Sequence, residues 1–265
     1  MGLYGYRWRA SMPQGIVLLQ RGFAEHESRY AEHYGGLVTA LVGCGLDVYA
    51  FDLEGHGLSP GERGLTDVRR MVEAHLLARR LLADGKRPLF LMGHSLGALV
   101  TAGSVARDVR GLAGVVLSGS ALPRANAAAR VAANLLAVFA PRRSATRFGS
   151  PEPIFRFPKD VVGQVSKPLT LERAIPVWLG ASAIKIATNV DRHASDWCVP
   201  TLFVHSSADI YTNPSGTERL FARIATQDKR YVVFAGDREE HLKNLCRDEI
   251  LATMRTWLAE QISAA

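Results

Sequence analysis

Three residues with complementary chemistry stand at separate points of the chain. Ser95 lies in "GHSLG" (93–97), Asp209 in "SSADIYTNP" (206–214) and His241 in "EEHLKN" (239–244). A serine hydroxyl attacks a carbonyl only when a base takes its proton, and imidazole is the usual base. A carboxylate then fixes the imidazole tautomer and stabilises its charged form. The order serine, acid, histidine is the one expected when the serine sits on a strand-to-helix turn. The chemistry this set could do is acyl transfer through an acyl-serine.

The pentapeptide alone is weak evidence, because a serine between glycines also caps helices. Its context carries more. "PLFLMG" (88–93) reads as a strand and the stretch after Ser95 as a helix. Glycines at 93 and 97 suit a turn so tight that a Cβ would clash. Ser95 then stands at a helix N-terminus, where the Leu96 N–H can face a developing oxyanion. Asp209 follows a strand end, where open α/β sheets place ligand-handling groups. Asp237 is a rival acid close to His241, and equally a turn residue. His205 reads as a packed strand residue and His94 as support under the turn. His33, His75 and His193 read as surface positions.

The elements that must position these residues follow from apolar runs. Strands are expected at 15–20, 46–52, 88–93, 112–119, 201–206 and 230–236, apolar along most of their length as strands covered on both faces are. Helical patterns separate them at 31–43, 67–84, 96–108, 215–225 and 247–260. This alternation predicts an α/β fold with a mostly parallel central sheet flanked by helices. "YGYRWRA" (4–10) adds an antiparallel edge strand. Residues 120–195 break the alternation. They hold a helix over 126–143, with Val131, Leu135 and Val138/Phe139 on one side, then proline-rich turns and a second helix over 171–187. The expected organisation is a core from 1–119 and 196–265 with a helical cap or lid inserted at 120–195.

Composition excludes several classes. The 265 residues, 48% hydrophobic, suit one large domain with a buried core. No apolar run is long enough to span a bilayer, and the N-terminus lacks the apolar core of a signal peptide. Three scattered cysteines (44, 198, 246) argue for a reducing compartment and against a disulfide framework. No metal-binding spacing and no cofactor motif is present. The net charge of +7 is spread without a basic tract, so no nucleic-acid partner is expected.

"RGFAEHESRY" (21–30), "FDLEGHGLSPGERG" (51–64), "GHSLG", "SSADIYTNP" and "EEHLKN", taken in order, resemble the monoacylglycerol lipase group of α/β-hydrolases over nearly the whole chain. The resemblance implies a monoacylglycerol or similar acyl ester as substrate, and a second oxyanion N–H from Phe23 beside that of Leu96. It carries Glu25 and Arg29 over to the alcohol side of the pocket; four residues apart, they are equally readable as a structural ion pair. The "GHG" loop (55–57) with Ser59 reads as scaffold. Arg21 stands where such lipases usually have His, Leu96 where Met is common, Ala98 where Gly is common, and Leu242 where Glu is usual. Lysophospholipase, short-chain esterase and aminopeptidase activities share this machinery, and a non-catalytic binding protein shares the fold. The apolar stripe of 126–143, with Arg130 and Arg142-Arg143 near its ends, either packs onto the domain or lies on a membrane surface. A cytoplasmic protein, peripheral to membranes if the stripe docks, is the expectation; the sequence leaves the oligomeric state open.

Overall fold

The computed structural model describes residues 2–23, 36–63, 65–147, 174–207, 209, 212–235 and 247–265. The expected parallel strands are Gly15–Gln20 (β2), Leu46–Phe51 (β3), Leu89–His94 (β4), Gly114–Ser118 (β5), Thr201–Ser206 (β8) and Lys229–Phe234 (β9). With Gly5–Trp8 (β1) they form a seven-stranded sheet in the order β1-β3-β2-β4-β5-β8-β9. Every neighbouring pair is parallel except β1–β3, which is antiparallel as expected of the edge.

Side chains alternate between two cores, as the period of a strand dictates. Leu18, Leu91, Val115, Leu117 and Phe203 face one layer, which includes Val68–Leu82 (α2), Leu96–Val105 (α3) and Pro214–Arg223 (α6). Val17, Leu19, Phe90, Met92, Val116 and Leu202 face the other, formed by Leu37–Gly43 (α1) and Arg247–Ala264 (α7). Cover on both faces explains why β2, β4, β5 and β8 are buried throughout and why they read as unbroken apolar runs.

On α2 the surface reading of His75 is corrected. Its buried face is Val68, Met71, Val72, His75, Leu76 and Arg79, a helical repeat in which position 75 falls inward. Arg79 uses its place to donate to the Ser104 and Asp108 carbonyls at the end of α3, at 3.0 and 2.7 Å. Neither ring nitrogen of His75 has a hydrogen-bond partner among the described residues. Burial first, and the Arg79 charge second, push its pKa down to about 3. The unfolded chain therefore holds a proton here below about pH 6.5 that the folded chain refuses until about pH 3. Stability must fall with pH across that window, with a limiting slope of about 1.4 kcal/mol per pH unit. His75→Met should be at least as stable as the parent at pH 7 and lose less melting temperature between pH 7 and pH 5. An equal or steeper fall would contradict the assignment.

Between β5 and β8 the chain makes Ala127–Phe139 (α4), Ser144–Arg147 (β6), Ala174–Pro176 (β7) and Val177–Arg192 (α5). Asn126 caps α4, its Oδ1 accepting from the Ala129 N–H at 2.8 Å. Pro141 lies just beyond the end of α4, as the sequence suggested. The second helix begins later than 171, at Val177. Pro176 keeps Ile175 extended, and Ala174–Pro176 pairs with β6 instead. The two helices differ in burial. Helix α5 places Leu179, Ile186, Ala187 and Val190 in the main core, and its Ser182 Oγ accepts from the Val68 N–H at 3.1 Å. Helix α4 buries only Ala137, leaving Val131, Leu135, Leu136, Val138 and Phe139 exposed.

Candidate active site

Strand β4 runs into helix α3 through Ser95, whose backbone has φ 53° and ψ −118°. Among the described residues Ser95 is the only non-glycine with positive φ. Such a conformation costs an L-residue about 1–3 kcal/mol and persists only where the surroundings enforce it. Here they do. The Ser95 N–H donates to the Ser118 carbonyl at 2.9 Å, and its own carbonyl accepts from Ala98 N–H at 3.1 Å. A Cβ on Gly93 would lie 2.7 Å from Ala98 Cα, and one on Gly97 would overlap the carbonyl oxygens of Gln20 and Arg21. Both glycines are thus needed for the turn, as their spacing suggested. His94 beneath it is buried, Nδ1 lying 3.4 Å from Ser118 Oγ.

The loop after β2 lies against this turn. A Cβ on Gly22 would fall 3.3 Å from Ser95 Cβ and 3.7 Å from Ser95 Oγ. Phe23 follows Gly22 at once in the chain, as Leu96, the first residue of α3, follows Ser95. The Phe23 ring meets the His56 ring edge-on, with centroids 5.4 Å apart. His56 is buried, its Nδ1 2.9 Å from the Glu54 carbonyl. Burial and then the charge of Arg21 push its pKa down to about 3, so it supports Phe23 as a neutral ring and acts on acid stability in the same sense as His75.

Arg21, unexpected in this loop, is wholly buried. Its Nη1 donates to the Gly22 carbonyl at 2.6 Å, and its Nε stands 3.9 Å from Asp52 Oδ1. Asp52 also accepts from Tyr6 Oη and from the Leu58 N–H, each at 2.9 Å. Gly57, with φ 47°, leaves room for that carboxylate, since a Cβ there would overlap it. Ser59 Oγ donates to the Asp52 carbonyl at 2.6 Å and accepts from the Tyr4 N–H at 2.9 Å. The "GHG" loop is thus scaffold around Asp52. Sequence reasoning missed Asp52, whose one visible signal was a buried-strand acid just before a glycine-rich loop.

Asp209 follows β8 at the carboxyl edge of the sheet, the edge from which Ser95 also emerges. Its side chain is buried. Oδ1 accepts from the Thr212 N–H at 2.8 Å, and Oδ2 accepts from the Thr212 hydroxyl. His205 Nε2 lies 3.0 Å from the Thr212 carbonyl and 3.4 Å from Asp209 Oδ2, and Thr217 Oγ1 is 3.3 Å from its Nδ1. These partners place the proton on Nε2, donated to Thr212, with the Thr217 hydroxyl facing Nδ1. His205 is therefore the packed strand residue its position suggested. His193 is exposed, 3.3 Å from Asp196. His241, Asp237, Glu25, Arg29 and His33 lie outside the described residues. Strand β9, which precedes His241, ends at Phe234 level with Ser206, so the chain leaves it at the same edge as Asp209. Among the described residues no three His, Cys, Asp or Glu side chains could together hold a metal ion.

Residues 11–243 match the family model Hydrolase_4, described as serine aminopeptidase, S33. A monoacylglycerol lipase of Mycolicibacterium smegmatis is 26% identical over 94% of this chain and 90% of its own. The human monoglyceride lipase is 27% identical over 96% of this chain and 85% of its own. The crystal structure of a monoacylglycerol lipase from Paleococcus ferrophilus superposes with a TM-score of 0.85 at 31% identity, covering 98% of this chain and all of that one.

Proposed function

The chain belongs to the serine aminopeptidase S33 family (Hydrolase_4) and is a serine ester hydrolase of α/β-hydrolase fold; from that premise we propose that it is a monoacylglycerol lipase working through Ser95, His241 and Asp209. The observation that carries the reading is Ser95 itself, held at φ 53° between β4 and α3 with the Gly22–Phe23 loop laid against it. A hydroxyl so presented is open to an incoming acyl group while backbone donors lie beside it.

Ser95 Oγ attacks the acyl carbon as His241 takes its proton. Negative charge gathers on the former carbonyl oxygen and meets the N–H groups of Phe23 and Leu96. Collapse of the intermediate breaks the ester C–O bond, and His241 returns the proton to the departing glycerol oxygen. Water then repeats the sequence in reverse on the acyl-serine, releasing the fatty acid. Asp209, fixed by Thr212, keeps the imidazole in the tautomer that accepts from serine. Glu25 and Arg29 would line the alcohol side.

For the substrate, support comes from the relatives, named monoacylglycerol or monoglyceride lipase, and from α4. In the proposed organisation 120–195 is a cap over the site. Its helix α4 turns Val138 and Phe139 outward, 69% and 83% exposed, near Arg143. Such a face suits the headgroup boundary of an anionic membrane. No helix among the described residues is long and apolar enough to cross one.

One experiment tests activity and docking together. A fluorophosphonate should label the wild-type chain, and 2-monoacylglycerol should be turned over faster than short nitrophenyl esters or aminoacyl amides. The protein should sediment with anionic vesicles at low salt, and Val138→Ser/Phe139→Ser should sediment less. Absence of labelling would favour a binding protein, faster aminoacyl turnover a peptidase, and absence of sedimentation a soluble esterase.

A further inference from the structure

The usual histidine of this loop is replaced by Arg21, and the structure shows where its side chain goes. Nη1 donates to the Gly22 carbonyl at 2.6 Å within a wholly buried site. That carbonyl belongs to the same peptide group as the Phe23 N–H. No cis peptide occurs among the described residues. In a planar trans peptide the C=O and the N–H point in opposite directions. Fixing one end therefore aims the other. We infer that Arg21 is a positioning residue of the oxyanion hole: its guanidinium clamps the Gly22 carbonyl and so turns the Phe23 N–H toward the oxygen that becomes negative on Ser95 attack. The inference rests on the proposed esterase reading and deepens it.

Three further observations support the clamp. Gly22 lies against Ser95, so the peptide being aimed begins next to the nucleophile. Arg21 is itself anchored, its Nε 3.9 Å from Asp52, which is in turn held by Tyr6 and Leu58. The Phe23 ring, which follows the peptide, is braced by His56. A hydrogen bond from a cation is also stronger than one from a neutral donor. It draws electron density from the peptide and makes its N–H the better donor to an oxyanion. Without the clamp the Gly22–Phe23 peptide is free to rotate, because glycine tolerates most backbone angles. A flipped peptide would present a carbonyl, which repels the oxyanion.

The test compares the wild type with Arg21→Lys, Arg21→Gln and the charge-balanced double variant Arg21→Gln/Asp52→Asn on a soluble monoacyl ester. Rates are divided by the active sites that an end-point fluorophosphonate titration counts. The double variant serves if Arg21→Gln alone, which leaves the buried Asp52 without the Arg21 charge beside it, does not fold. Removing an oxyanion donor outright costs about 10²–10³ in kcat, so misaiming it should cost at least about tenfold. KM should stay within about twofold. Arg21→Lys, which keeps a charged donor, should fall in between. Affinity for a trifluoromethyl ketone, which forms a tetrahedral oxyanion on the serine, should drop in step with kcat. A merely structural Arg21 would reduce the count of active sites and leave the rate per site unchanged; that result would overturn the clamp. A wild-type chain hydrolysing no ester would instead remove the function reading, and this inference with it.

Discussion

Ser95→Ala should leave a folded protein whose ester hydrolysis is lower by about 10⁶-fold, the scale on which removal of a hydrolase nucleophile acts. The double variant Ser95→Ala/His241→Ala should be no slower than Ser95→Ala alone, because residues of the proposed triad that act as a unit lose their effect together. Steady-state rates on one soluble ester measure both. A residual rate within a hundredfold of wild type would place the nucleophile elsewhere. Folding is readable in the same samples. The Ser95 backbone at φ 53° and ψ −118° is enforced by its neighbours rather than preferred by serine. Alanine inherits that strain and should melt close to wild type. Ser95→Gly, which tolerates the angles, should melt no lower.

Asp209→Asn should reduce kcat by about 10⁴ if Asp209 is the proposed triad acid, the loss seen when a triad carboxylate becomes an amide and the imidazole takes the wrong tautomer. The fold should survive the change. The asparagine oxygen can still accept from the Thr212 N–H, and its NH₂ can donate to the Thr212 hydroxyl, preserving the carboxylate's contacts with Thr212. Asp237→Asn should stay within about threefold of wild type, since the rival acid has no assigned partner in the reaction. If the losses came out the other way, with Asp237→Asn impaired and Asp209→Asn intact, the acid would be reassigned and the Asp209–Thr212 contacts would be left as loop anchors only.

The reason the sheet was so readable is physical. Strands such as Leu89–His94 are covered on both faces, so nearly every position is apolar and the run stands out against helical spacing. Ser95 was readable because Gly93 and Gly97 are required by contacts local to the turn. His75 was not, because a polar side chain reads as surface until the helical repeat of its apolar neighbours places it inward. Ile175 shows the same weakness at an element boundary, where the proline after it decides against helix. Arg21, Asp52 and Tyr6 form a different case. Tyr6 lies in β1, Arg21 and Asp52 just past the ends of β2 and β3, and no spacing rule relates them; only the order in which β1, β3 and β2 lie side by side brings them together. A substitution that looks like a departure in sequence therefore becomes intelligible only through its neighbours in space.

The unequal burial of the two helices between β5 and β8 bears on how such enzymes could diversify. Helix α5 meets α3 at Gly103, where a Cβ would come within 2.7 Å of Ile186 and 2.9 Å of Val72. It is thus a wall of the main body, and its side chains must co-evolve with those of α2 and α3. Helix α4 carries no such debt to the interior. In the proposed cap, the part that can be exchanged is consequently the shorter piece around α4, and a transplant cut at both ends of 120–195 would import foreign packing into the host.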